Sequence, residues 1–144
     1  MIIRPAGLVR HQNQLLTMRY RYGEHDRFNL PGGNLEAGES APACLQREFR
    51  EELALRIEVE DLLFCAETIV GERHTVHLIF PVTVLEGSPC LQPGATRAIE
   101  ICWLPFNIVA QSSLYPNISA PLTHWLLQHS VRERYLGTLS QEWF

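Results

Sequence analysis

Residues 30–55 run LPGGNLEAGESAPACLQREFREELAL, and the reading of the whole chain turns on their order. Pro31-Gly32-Gly33 must be a loop, because proline cannot continue a strand ladder and paired glycines permit unusual backbone angles. A helix follows. Ser40 suits the N-cap, and Pro42 is tolerated in a first turn whose amides lack intrahelical partners. Leu45, Phe49 and Leu53 then recur every four residues and supply an apolar stripe, which predicts a helix over Ala41–Leu53.

That helix carries Glu48, Glu51 and Glu52 at i, i+3 and i+4, so all three project into a sector roughly 100° wide. Like charges at this spacing repel one another when left alone. Arg47 and Arg50 offset part of the cost, and a solvated face laced by such pairs is the ordinary fate of a charge run. A hard divalent cation offsets it better, since Mg²⁺ takes carboxylate and water oxygens and bridges to phosphates. The upstream glycines favour the cation, because they let the backbone approach a metal or phosphate closely.

The stretch resembles the Nudix box, G-x5-E-x7-R-E-U-x-E-E-x-G-U, where U is bulky and apolar. Gly33, Glu39, Arg47, Glu48, Glu51 and Glu52 occupy six of its seven fixed positions, and Leu30-Pro31-Gly32-Gly33 is similar to its usual lead-in. Phe49 stands where an aliphatic residue is more usual. Ala54 replaces the last glycine, a change that matters only if the backbone there needs a positive φ. The resemblance implies the Nudix fold, an α/β architecture with a mixed β-sheet sandwiched between α-helices. It implies hydrolysis of a diphosphate bond in a nucleoside diphosphate linked to another group, either ADP-ribose-like or a nucleoside triphosphate. The cofactor would be Mg²⁺ or Mn²⁺, the nucleophile water, and a homodimer is a form that many relatives take.

By the same resemblance Glu48, Glu51 and Glu52 are catalytic and metal-binding, with the Gly32 carbonyl and a downstream carboxylate, Glu100, completing the set. Arg47 would orient these carboxylates and pair with Glu39. Substrate contacts are sought among Arg19 and Arg27, whose guanidinium forks match phosphate, Phe28 as a stacking surface, and Tyr115 at a loop mouth. Alternation sets Arg19 and Arg21 on one face of their strand and Tyr20 and Tyr22 on the other, so only one pair faces the site. His74 and His77 are three apart on a strand, point to opposite faces, and receive no role. The alternative function is a non-hydrolytic sensor of the same fold, but such modules usually lose acids of the box and this chain keeps them.

Away from this centre the chain reads as one domain. With 144 residues, 46% of them hydrophobic, it has material for a real core. Stretches 2–10 and 14–21 read as strands around His11-Gln12-Asn13, a short extended piece ends at Leu30, and stretches 57–69, 74–85 and 100–104 extend the sheet. Helical pieces are expected at 106–111 and 120–129. All twelve basic residues are Arg, which excludes a Walker A lysine and Schiff-base chemistry. A net charge of −4, with glutamates crowded between positions 36 and 60, disfavours nucleic acid as a partner. No apolar run approaches the ~18 residues of a membrane span. Cys44, Cys65, Cys90 and Cys102 stand singly, as core thiols in a reducing compartment do, so a cytoplasmic protein is expected, while the small nucleotide partner is what the resemblance implies. Around Ser40 the final glycine of a nucleophile elbow is missing, which sets serine hydrolase chemistry aside.

Overall fold

A computed structural model describes residues 1–141. In chain order the first elements are β1 (Ile2–Leu8), β2 (Arg10–His11), β3 (Gln14–Tyr22), β4 (His25–Asn29), α1 (Ala41–Leu53), β5 (Arg56–Val59) and β6 (Phe64–Val70). After these come β7 (Arg73–Glu86), β8 (Glu100–Pro105), a 3-10 helix at Phe106–Gln111, β9 (Leu114–Tyr115), α2 (Ser119–Gln128) and β10 (Tyr135–Thr138). The strands form two sheets. In one, the order is β1-β7-β6-β10 with β5 also on β7; in the other it is β2-β3-β4-β9 with β8 along the opposite edge of β3. Both are mixed, since β1 runs parallel to β7 and β4 parallel to β9 while the hairpins are antiparallel.

Strands β3 and β7 explain why two helices are needed. Both bury residues on both faces: Leu16, Met18, Phe80 and Val82 pack with Leu45, Phe49 and Leu53 of α1, while Leu15 and Ile79 pack with Leu122, Trp125 and Leu126 of α2. Period-two alternation therefore feeds two cores at once, and the sheets lie between the helices. Fully buried Phe49 is worth about 1.5–3 kcal/mol of transfer free energy, and Phe49→Ala would cost more because a cavity remains.

Helix α1 has the expected bounds. The Ser40 Oγ accepts the Ala43 N–H at 3.2 Å, and Ala54 ends the helix in the left-handed region at φ 55°, ψ 36°. The strand at 2–10 divides at Val9, where the chain passes from one sheet to the other. The stretch 57–69 likewise divides, because residues 60–63 turn away while the Glu60 and Leu63 amides donate to carbonyls of β7. The short strands β9 and β10 are additions that periodicity does not reveal over two to four residues. Helix α2 starts and stops one residue before the expected stretch, and 106–111 is the tighter 3-10 form. Cys44 is buried, but Cys90 is exposed and so is no core thiol. Among the described residues no helix is long and apolar enough to cross a membrane.

Candidate active site

The loop Pro31-Gly32-Gly33 is stitched to the free edge of β1. Gly7 N–H donates to the Pro31 carbonyl at 2.8 Å, Gly33 N–H to Pro5 at 3.2 Å and Leu35 N–H to Ile3 at 2.8 Å. Neither glycine has a positive φ. Their requirement is space: a Cβ at Gly32 would overlap the Pro5 carbonyl, and one at Gly33 would overlap the Glu48 carboxylate. Gly33 thus keeps the place into which the first acid of the helix folds. Cys44 seals the same corner, its thiol donating to the Gly33 and Asn34 carbonyls at 3.7 and 3.6 Å and pushed up to about 12 chiefly by burial.

Arg47 organises the acids. Its Nε and Nη2 donate to both oxygens of Glu39, and its Nη1 donates to Glu48 at 3.0 Å and Glu51 at 3.3 Å. The fork lowers the Glu39 carboxyl to about 2, and the surrounding acids hold the guanidinium above its ordinary value. Glu48 and Glu52 respond the other way. Burial first, then neighbouring acids, push Glu52 up to about 7; burial also raises Glu48. Among the described residues no three acid, His or Cys side chains already converge as a metal cage, because Glu48 and Glu51 turn toward Arg47. The donor set nonetheless suits a hard divalent cation: three carboxylates share a helical face, two are raised by burial and so gain from a cation's charge, and an adjacent loop is held clear of side chains.

Beside these acids a cleft of about 390 Å³ opens between the two sheets. Its lining includes Arg4, Arg27, Arg73 and Arg97 and contains no acid. Tyr20, Tyr22 and Tyr115 supply aromatic surface, and Gly32 joins the cleft to the carboxylate helix. Arg27 is almost fully buried between the Tyr22 and Tyr115 rings, 4.5 and 4.4 Å from their centres, and donates to Asn29 at 3.1 Å and the Tyr22 hydroxyl at 2.8 Å. Arg4 donates to the Leu30 carbonyl at 3.0 Å and lies against Tyr115. Its charge opposes the upward shifts of Glu48 and Glu52, so cleft and acids share one electrostatic field. Larger hollows of about 730 and 840 Å³ lie elsewhere, by the C-terminal end of α1 and beside Trp103; neither includes any of the three helix acids.

A sequence model of the NUDIX domain matches residues 3–126. The chain belongs to the Nudix hydrolase family. A Mycobacterium tuberculosis relative named “Putative 8-oxo-dGTP diphosphatase 2” is 34% identical over 107 residues, 72% of each chain. The Nudix fold is seen again in the solution structure of the E. coli ORF135 protein, with a TM-score of 0.73, 22% identity and coverage of 92% of this chain and 93% of that one. An ADP-ribose pyrophosphatase of Streptococcus suis shares the fold at a TM-score of 0.66 and 14% identity, covering 96% of this chain and 98% of that one.

Within this Nudix site the structure brings together Gly32, Glu39, Arg47, Glu48, Glu51 and Glu52, and it puts Arg27 and Tyr115 in the cleft. Three expected residues lie on the other face of the β3 sheet. Arg19 pairs in register with both Phe28 and Glu100, so the three share a face. Arg19 Nε donates to Glu100 at 2.8 Å and Nη1 to Asp26 at 3.2 Å, while Phe28 packs against the core under α2. Glu100 is therefore not brought to the helix acids, and neither Arg19 nor Phe28 reaches the cleft. Sequence reasoning missed Arg4, Arg73 and Arg97 and left Tyr20 and Tyr22 undecided. The parity of β3 would have found the tyrosines, but Leu15 and Leu16 are both apolar and hide which face is which.

Proposed function

We propose that this chain catalyses Mg²⁺-dependent hydrolysis of a phosphoanhydride bond in a nucleoside triphosphate. The observation that carries the reading is a cleft lined by four arginines and no acid, whose Arg4 acts electrostatically on Glu48 and Glu52 and whose Gly32 adjoins the Gly33 that packs against Glu48. A triphosphate carries more negative charge than a sugar-linked diphosphate and makes fuller use of four guanidiniums. The Mycobacterium tuberculosis relative, named for a triphosphate substrate, supports this choice.

Glu48, Glu51 and Glu52, with the Gly32 carbonyl, would hold the cation. When bound, a divalent cation neutralises phosphate charge and lowers the pKa of water in its shell. The residues of the chain do the remainder. Arg47 fixes the rotamers of Glu48 and Glu51 and is itself fixed by Glu39. Arg4, Arg73 and Arg97 attract and orient the phosphates, and Tyr22 and Tyr115 offer aromatic surface to the nucleoside. Glu48, raised in pKa by burial, would serve either as a ligand or as the base that accepts a proton from attacking water.

The test is release of nucleoside monophosphate from a panel of ordinary and oxidised nucleoside triphosphates, ADP-ribose and dinucleoside polyphosphates, each with Mg²⁺ and with chelator. Metal-dependent cleavage of triphosphates is expected. Cleavage confined to ADP-ribose would replace the substrate class, and binding without cleavage of any compound would favour the sensor.

A further inference from the structure

Tyr20 and Thr96 form a pair apart from the acids of α1. Tyr20 faces the cleft from β3, and its hydroxyl lies 3.2 Å from the Thr96 hydroxyl. Thr96 Oγ1 also accepts the Ala98 N–H at 3.1 Å. One hydrogen lies between the two hydroxyls, and either oxygen can supply it. An acceptor bound in the cleft would take the phenolic hydrogen and leave Thr96 to donate to the Tyr20 oxygen.

The loop that carries Thr96 is fixed to the site at both ends. Cys90 and Gln92 donate their amides to the Leu53 and Glu52 carbonyls at 3.0 Å, and Ile99 N–H donates to the Arg19 carbonyl at 2.8 Å. Residues 87–99 include no acid. Arg97, next to Thr96, lines the cleft and makes no ion pair among the described residues. The Tyr20 hydroxyl, from β3, and the Arg97 guanidinium, from this loop, therefore line the same cleft, and the loop also ties down the Glu52 main chain.

We infer that the Tyr20 hydroxyl, oriented by Thr96, donates to a phosphoryl oxygen of the bound nucleotide and, together with Arg97, seats that phosphate beside Glu52. The inference rests on the hydrolase reading for its substrate, and it makes Tyr20 a substrate-contacting residue and Thr96 a positioning residue. No bond is made or broken by either; the hydroxyl proton stays on Tyr20 throughout.

The experiment compares Tyr20→Phe, Thr96→Val and Thr96→Ser with the wild type. Two readouts are used: kcat/KM on triphosphates, and calorimetric binding of α,β-methylene analogues of dATP, dGTP, dCTP and dTTP in Mg²⁺. Tyr20→Phe should lose about 10–100-fold in kcat/KM and weaken the analogues by a similar factor, whatever the base. Thr96→Val should move in the same direction by less, and Thr96→Ser should restore the wild-type values with no change in melting temperature. Unaltered binding by Tyr20→Phe, or a loss confined to one base, overturns the inference. So does a Thr96→Ser variant as impaired as Thr96→Val. If Tyr20→Phe does not fold, the Thr96 pair decides alone. A wild type that binds the analogues yet cleaves no triphosphate sinks the hydrolase reading, while the binding comparison still judges Tyr20.

Discussion

Arg47 holds Glu39 through two parallel hydrogen bonds, Nε to Oε2 at 2.8 Å and Nη2 to Oε1 at 3.0 Å. This fork anchors a residue eight positions away, ahead of the helix, and leaves Nη1 to steady the acids. A lysine reaches with one point charge and cannot reproduce it. Arg47→Lys should lower kcat about 10–100-fold, with a smaller change in KM, in steady-state kinetics. The same pair has a pH signature. Glu39 is held down to about 2 from an ordinary 4.5, so its stabilising effect is complete above pH 4.5 and disappears as the pH falls toward 2. Glu39→Gln should flatten that part of the acid-stability curve, measured by thermal melts across pH 2–5.

Glu52 has the opposite sign. Its folded value of about 7 lies above the unfolded 4.5, so the native state binds the extra proton between these values. Its favourable contribution is present below pH 4.5 and is lost as the pH rises through 7. In chelator the wild type should therefore lose melting temperature between pH 5 and 8 relative to Glu52→Gln, which lacks the titrating group. With Mg²⁺ the variant should lose most turnover. A variant that melts below the wild type at pH 8 in chelator would contradict the crowded-charge account.

Ala54 occupies a backbone conformation that costs an L-residue with a Cβ roughly 1–2 kcal/mol. Ala54→Gly should relieve most of this and give back part in unfolded-state entropy, for a net gain of about 0.5–1 kcal/mol. Calorimetry should record a rise in melting temperature of about 1–4 °C with activity unchanged.

Glu100→Gln should leave kcat and KM within about twofold of wild type, because this acid pairs with Arg19 on the face of the sheet turned away from the cleft. A loss as large as that of Glu52→Gln would return Glu100 to the metal site.

The helix and its acids were legible because they are local: cap, stripe and charge spacing lie within 14 residues, and a 3.6-residue period decides what each faces. The cleft was not. Arg4, Tyr20, Arg73 and Arg97 come from four distant segments; the pairing of β1 with β7 gathers Arg4 and Arg73, and that of β3 with β8 brings the Arg97 loop to Tyr20. Arg19 and Glu100 failed for a related reason. Each lies near the right place along the chain, yet the side of the sheet is set by parity, and a strand buried on both faces does not advertise its parity.

The residues of β4 alternate in character as well as direction: Arg27 and Asn29 face the cleft, while Asp26 and Phe28 face away. Deleting or inserting a single residue between Gly23 and Arg27, with the pairing to β3 otherwise kept, would exchange the two sets. The cavity would then present a carboxylate and a benzyl group where it now presents a guanidinium and an amide. Substitutions in that tight turn touch neither the acids nor the ligand and should be readily accepted. A change in its length is another matter, because the sign of the charge that this strand turns into the cleft depends on how many residues the turn contains.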